Sequence, residues 1–217
     1  MLIPTGRLLR GLKFACFGFG TLALTYCELV TVGAAVYQSR ARFMFNHLRG
    51  EFLAHRLSNS GKPAARGSVV AALDSGRIGL SVMVLEGTDE RTLGLGAGHM
   101  PGSGVPGKAG NVVITGHRDT FFRPLRSIRP GDSIELTSPE GTYQYRVSWT
   151  RVVAPNDTRS LKPTRQEVLT LVTCYPFSYI GSAPDRLVVR AKRMGSLPCE
   201  DIPINAKWRG SVGPSRA

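Results

Sequence analysis

Residues 168–191, VLTLVTCYPFSYIGSAPDRLVVRA, constrain the fold most. Val168 to Val172 is an apolar, β-branched run that ends in Thr173 and Cys174. The connector Tyr175 to Asp185 follows, punctuated by Pro176, Gly181 and Pro184, and a second apolar run opens at Arg186. Both runs are too short for helices, so they read as two strands. Antiparallel pairing through the connector puts Cys174 and Arg186 at one end of one sheet. A guanidinium beside a thiol favours the thiolate, the nucleophilic form of cysteine.

The rest of the domain is written in the same short-strand grammar. Ser68–Leu73 and Ile78–Leu85 are β-rich runs around an Asp74-Ser75-Gly76 turn signal, and Thr88–Leu95 predicts a short helix. A glycine-rich loop, GLGAGHMPGSGVPGKAG, carries His99 and leads into the strand Asn111–Thr115. That strand runs into Gly116-His117-Arg118-Asp119. Phe121–Leu125 predicts a short helical turn and Arg129-Pro130-Gly131-Asp132 a tight turn; Ser133–Thr137 and Tyr143–Val153 predict further strands. Many short strands with regular turn signals imply a mainly β fold, a sandwich or barrel with few helices.

The N-terminal part differs in kind. Arg7, Arg10 and Lys13 precede an apolar stretch, Phe14 to Tyr37, that spans roughly 36 Å as a helix, enough to cross a bilayer core with some tilt. Glu28 interrupts it at an insertion cost of about 2.5–3.5 kcal/mol. A signal-anchor helix is the reading favoured here. A signal peptide cleaved near Val32-Gly33-Ala34 and a buried soluble helix are the alternatives. Cys16 and Cys27 read as small apolar fillers. The flanking charges leave the orientation open, because Arg40, Arg42 and Arg49 follow the span. The expected organisation is a basic N-terminus (1–13), a transmembrane helix (14–37), a helical stalk and linker (38–67), a folded domain (68–192) and a flexible basic tail (193–217). His47 and His55 fall in the stalk and are given surface roles.

The net charge of +13 is spread from Arg7 to Arg216. A basic balance is equally compatible with nucleic acid and with an anionic membrane surface, and the lack of a compact basic stripe interleaved with aromatics lowers the nucleic-acid reading, so no nucleic-acid partner is expected. The four cysteines, 16, 27, 174 and 199, form no CxxC pair, and no dense acidic cluster suggests calcium. No metal or organic cofactor is therefore expected.

His117, like Cys174, sits just past a strand end, where a rigid scaffold can present chemistry. A cysteine and a sequence-distant histidine are the generic thiol-enzyme pattern, and arginine, which cannot act as a base, suits an oxyanion. TLVTC (170–174) with Arg186 in DRLVV, NVVITGHRD (111–119), the preceding glycine loop, Arg129-Pro-Gly-Asp and the CYPFSYIGSAPDR connector together resemble the sortases, in the family's order over about residues 69–191. The connector is most similar to that of class D sortases.

The resemblance implies a closed eight-stranded β-barrel and a cysteine transpeptidase. Cys174 matches the nucleophile, His117 the acid/base and Arg186 the residue that steadies the tetrahedral intermediate. The implied substrates are secreted proteins bearing a Leu-Pro-x-Thr-type sorting signal. The acceptor is an amine, from a cell-wall precursor or a pilin-like lysine. The implied location is the cell membrane, with a single-pass anchor and an extracytoplasmic catalytic domain.

Alternatives stand beside each residue. Cys174 also fits an inert core thiol, and His117 a turn cap paired with Asp119. His99 is a rival base read as a rim residue. Arg190 is a rival oxyanion holder, four residues and roughly 13 Å along the strand from Arg186. Thr173 and Asp119 are candidate supporting residues, and Arg118 with Asp119 reads as a solvated pair. A Cys174–Cys199 disulfide would silence the nucleophile. The rival functions are a thiol peptidase that uses water, and a membrane-tethered binding module that keeps the barrel without catalysis.

Overall fold

The computed structural model describes residues 5–47, 64–179 and 181–197; His55 and Cys199 lie outside them. Eight strands close into a barrel: β1 (Val69–Ser75), β2 (Leu80–Glu86), β3 (Ala97–His99), β4 (Asn111–Thr115), β5 (Ser133–Ser138), β6 (Gly141–Val153), β7 (Val168–Tyr175) and β8 (Asp185–Leu197). Their order around the barrel is β1-β2-β3-β4-β7-β8-β6-β5. The pairs β2–β3 and β4–β7 are parallel and the others antiparallel. Among the described residues, two helices, α1 (Thr5–His47) and α2 (Glu90–Leu95), and three short 3-10 turns accompany the barrel.

Alternation of side chains builds the interior. Leu169 and Leu171 of β7, Val112 and Ile114 of β4, and Leu187, Val189 and Ala191 of β8 point inward and are buried in one core with Leu73, Val82, Ile134, Leu136 and Tyr145. Each buried Leu, Ile or Val contributes about 1.5–3 kcal/mol. Since alternate residues face opposite sides of a sheet, Cys174, Arg186 and Arg190 face outward.

The glycine-rich segment read as a loop contains β3. Gly98 hides the strand from propensity arguments, yet the fold requires it: a Cβ there would lie 2.2 Å from the Gly87 carbonyl oxygen. The strand read as starting at Ile78 starts at Leu80, because Gly76–Ile78 is a 3-10 turn closed by Gly79 in the left-handed region, φ 66°. Residues 193–197, read as the start of a flexible tail, instead continue β8 against β6 as far as Leu197. Arg193 lies over the Tyr143 ring at 4.7 Å and pairs with Glu167, which also accepts from the Tyr145 hydroxyl at 2.6 Å. These polar contacts at a barrel end anchor residues that composition alone assigns to a tail.

Helix α1 is longer than the stretch read from hydropathy. Leu12–Asn46 is long and apolar enough to cross a membrane by length and composition. Phe14, Phe17, Phe19, Leu22, Leu24 and Leu29 are exposed, which does not fit the buried-helix alternative. The C-terminal third of α1 packs on the barrel. Phe45, 3% exposed, sits against Ala72 and Met83. The Gln38 side chain accepts from the Met83 N–H at 2.7 Å and donates to the Leu95 carbonyl. Arg42 pairs with Asp74 at 3.1 Å. The stalk thus begins as a docked helix.

Candidate active site

Strands β7 and β8 carry Cys174 and Arg186, and the segment after the neighbouring strand β4 carries His117. In the parallel β4–β7 ladder, Thr115 is the partner of Val172; His117 and Cys174 each lie two residues further on. Gly116 N–H donates to the Val172 carbonyl at 3.2 Å, and Thr173 Oγ1 donates to the Gly116 carbonyl at 2.7 Å, so the two chains stay tied past the ladder. On the other side of β7, Cys174 is the register partner of Arg186. Adjacent strands lie about 4.8 Å apart, and partners in register share a face. Cys174 and Arg186 therefore share the outer face of the barrel, and His117 follows the end of the neighbouring strand β4.

Local sequence explains each placement. Gly116 is required by close approach: a Cβ there would lie 2.8 Å from the Phe122 ring. Phe122 reaches it because its N–H bonds back to the His117 carbonyl at 3.1 Å, which turns the chain sharply and leaves the His117 side chain exposed. Cys174 is a free thiol of intermediate burial. Arg186 Nη1 donates to the Ala183 carbonyl at 3.2 Å and to the Asp185 carbonyl at 2.9 Å, which holds the guanidinium close to its own strand end.

The alternatives fall elsewhere. His99 is buried rather than on a rim: its Nδ1 lies 2.7 Å from Glu86 Oε2, and its Nε2 lies 2.9 Å from the Gly104 carbonyl and 3.0 Å from Ser103 Oγ. Both ring nitrogens are used in pinning the glycine loop to β2. Arg190 faces outward beside Thr170, but its Nη2 donates to the Ser160 carbonyl at 2.6 Å and its guanidinium lies 5.6 Å from the Trp149 ring. Burial holds its pKa below the usual arginine value. Asn111 donates to the Ser160 and Lys162 carbonyls at 3.0 and 3.1 Å, so Arg190 and Asn111 together hold the β6–β7 segment over this face.

Arg118 and Asp119 are not a solvated pair. The Arg118 side chain is 7% exposed and that of Asp119 is 69%, with 3.4 Å between Nε and Oδ2. Arg118 turns under the β7–β8 connector. A cleft of about 740 Å³, lined by Arg118, Leu125, Ile128, Val152, Phe177 and Leu187, opens beside the connector. Among the described residues, no group of three His, Cys, Asp or Glu side chains is placed to hold a metal ion.

Residues 74–194 match the family model described as the Sortase domain. Sortase D of Bacillus subtilis (strain 168) is 36% identical over 129 residues, 59% of this chain and 65% of that protein. Sortase A of Listeria monocytogenes is 32% identical over 111 residues, 49% of this chain and 50% of that protein. The matched stretches thus span from half to about two thirds of these relatives. Among solved structures, a Clostridium perfringens sortase D5 transpeptidase superposes with a TM-score of 0.62 at 27% identity, covering 74% of this chain and 98% of that one. The catalytic domain of B. anthracis sortase D superposes with a TM-score of 0.55 at 33% identity, covering 64% and 96%. With its closed barrel and a domain match over more than half its length, this chain belongs to the sortase family.

Proposed function

We propose that the protein is a membrane-anchored cysteine transpeptidase. It would cleave a Leu-Pro-x-Thr-type sorting signal on secreted proteins and pass the acyl group to an amine at the cell surface. The observation that carries this reading is the Cys174–Arg186 register pair of β7 and β8, with His117 two residues past the end of the neighbouring strand β4. The Cys174 thiolate attacks the threonine carbonyl carbon, and the resulting oxyanion is held by the Arg186 guanidinium. Imidazolium at His117 gives its proton to the departing amine, the C–N bond breaks, and a thioacyl enzyme remains. An incoming amine attacks the thioester, loses a proton to His117 and releases the thiolate. Thiolate and imidazolium are needed together, so only the fraction of enzyme holding that pair is active.

Helix α1 supports the anchoring half of the reading. Its exposed apolar residues suit lipid, and its docked C-terminal third would hold the barrel close to the bilayer surface. The test uses the full chain in detergent micelles, a panel of Leu-Pro-x-Thr-type peptides and an added primary amine. The expected product is the peptide ligated to the amine. Cleaved acid alone, whatever the amine concentration, would make the protein a thiol peptidase. No turnover with any peptide would favour a binding module that keeps only the barrel.

A further inference from the structure

Arg118 has no part in the chemistry just described, yet it is the most heavily bonded side chain beside the site. Nη1 donates to the Pro176 carbonyl at 3.0 Å, and Nη2 donates to the Tyr179 carbonyl at 2.7 Å and the Gly181 carbonyl at 2.9 Å. All three acceptors belong to the connector whose ends are Cys174 and Arg186. A guanidinium is the one side chain with a planar fork of five donors that can gather carbonyls from three separate residues. Between the ladder ends Tyr175 and Asp185, the backbone bonding among the described residues is a single long contact, Tyr179 N to Pro176 O at 3.4 Å. Arg186 holds the end of the connector through the Ala183 and Asp185 carbonyls, and the stretch from Pro176 to Gly181 is held by the residue that follows His117.

We infer that Arg118 is a positioning residue: it clamps the β7–β8 connector to the His117 segment and so fixes Cys174 and Arg186 relative to His117. The inference rests on the transpeptidase reading for its catalytic consequence but not for the clamp itself. The β7–β8 ladder sets Cys174 against Arg186, but the β4–β7 ladder ends at Thr115 and Val172, and His117 lies beyond it. There, register alone does not fix the side chains, and a misplacement of about 1 Å costs roughly 10²-fold in rate. A cation 7% exposed, bonded mainly to carbonyl dipoles, is costly to bury without such a return.

The experiment compares the full-length wild type with Arg118→Met, Arg118→Lys and Gly181→Ala in micelles. Arg118→Met keeps the stem and removes the donors. Gly181→Ala leaves Arg118 intact but strains the connector, because Gly181 has φ 98° with open space around its Cα. Amide hydrogen exchange is read over the connector and over the barrel strands, beside kcat and KM for thioacyl formation. Arg118→Met is expected to raise connector exchange roughly tenfold with the strands unchanged, and to lower kcat roughly 10²-fold with a smaller change in KM. Arg118→Lys should recover part of both, and Gly181→Ala should move both in the same direction by less.

Unchanged connector exchange in Arg118→Met overturns the clamp. Faster connector exchange with unaltered kcat overturns the positioning role, as does a barrel-wide rise in exchange with kcat per folded molecule preserved. Wild type that forms no thioacyl enzyme overturns the transpeptidase reading and with it the positioning role, while connector exchange still decides the clamp.

Discussion

Cys174 and Arg186 are register partners in the β7–β8 ladder, with their side chains on the same outer face of the barrel. The pairing sets a permanent cation and the thiol at the same end of two adjacent strands, with the guanidinium bonded to the Ala183 and Asp185 carbonyls. Removing that cation while keeping a polar side chain, Arg186→Gln, is expected to slow thioacyl formation about 10²–10³-fold, the usual cost of losing an oxyanion partner. Arg186→Lys should fall between the two, since an ammonium keeps the charge but not the fork. Single-turnover adduct formation followed by mass spectrometry measures both.

Thr173 points the other way from Cys174, is buried, and donates to the Gly116 carbonyl. Thr173→Val keeps the shape and leaves that carbonyl without its partner. The expected cost is about 1–2 kcal/mol in unfolding free energy, with a drop in thioacylation as β4 and β7 loosen next to His117. Thr173→Ser should restore most of both, as read by denaturant melts and rate measurements on the same preparations.

Asp132 gives a pH signature away from the site. The Arg77 guanidinium bonds both its carboxylate oxygens, and the Arg129 N–H adds a third bond at 2.8 Å. Chiefly through the Arg77 bonds, the Asp132 pKa lies below its ordinary value of 3.8. A carboxylate whose folded-state pKa is depressed contributes stability that is present above the unfolded value and lost as pH falls through the folded one. Asp132→Asn should therefore lower Tm at pH 7, and the gap to wild type should narrow below about pH 3.8. A gap that stays constant through that range would contradict the assignment.

The α1 dock predicts that the barrel is not independent of its stalk. Cutting before Gly67 exposes Ala72 and Met83 and leaves the Met83 N–H and Leu95 carbonyl without Gln38. Within the full chain, Phe45→Ala should cost about 3 kcal/mol at the contact. Gln38→Ala should cost about 1 kcal/mol. Thermal melts of the two variants and of the truncated barrel, beside the intact chain, check this directly.

Residue pattern carried some parts of the architecture and not others, for physical reasons. The β7–β8 pair is legible because Val168–Val172 and Leu187–Val189 are apolar and β-branched, and the connector between them is rich in turn residues. The juxtaposition of Cys174 with Arg186 follows from that pairing. Strand β3 is not legible, because Gly98 earns its place by close packing and not by β-propensity. Arg118 is not legible either: its partners are backbone carbonyls, which leave no trace in side-chain spacing. The same holds for Gln38, whose amide bridges β2 and the end of α2 from a helix far away in sequence.

The most direct measurement is the intact mass of the full chain after mixing with a Leu-Pro-x-Thr-type peptide and rapid acid quenching, beside Cys174→Ala and His117→Ala. The account predicts a mass increase equal to the acyl portion of the peptide in wild type, mapped to Cys174, reversed by a primary amine and absent in Cys174→Ala. In His117→Ala the adduct should form at least 10²-fold more slowly. A wild-type chain that turns over a sorting-signal peptide with no adduct at Cys174, or a Cys174→Ala variant that still turns it over, would contradict the account.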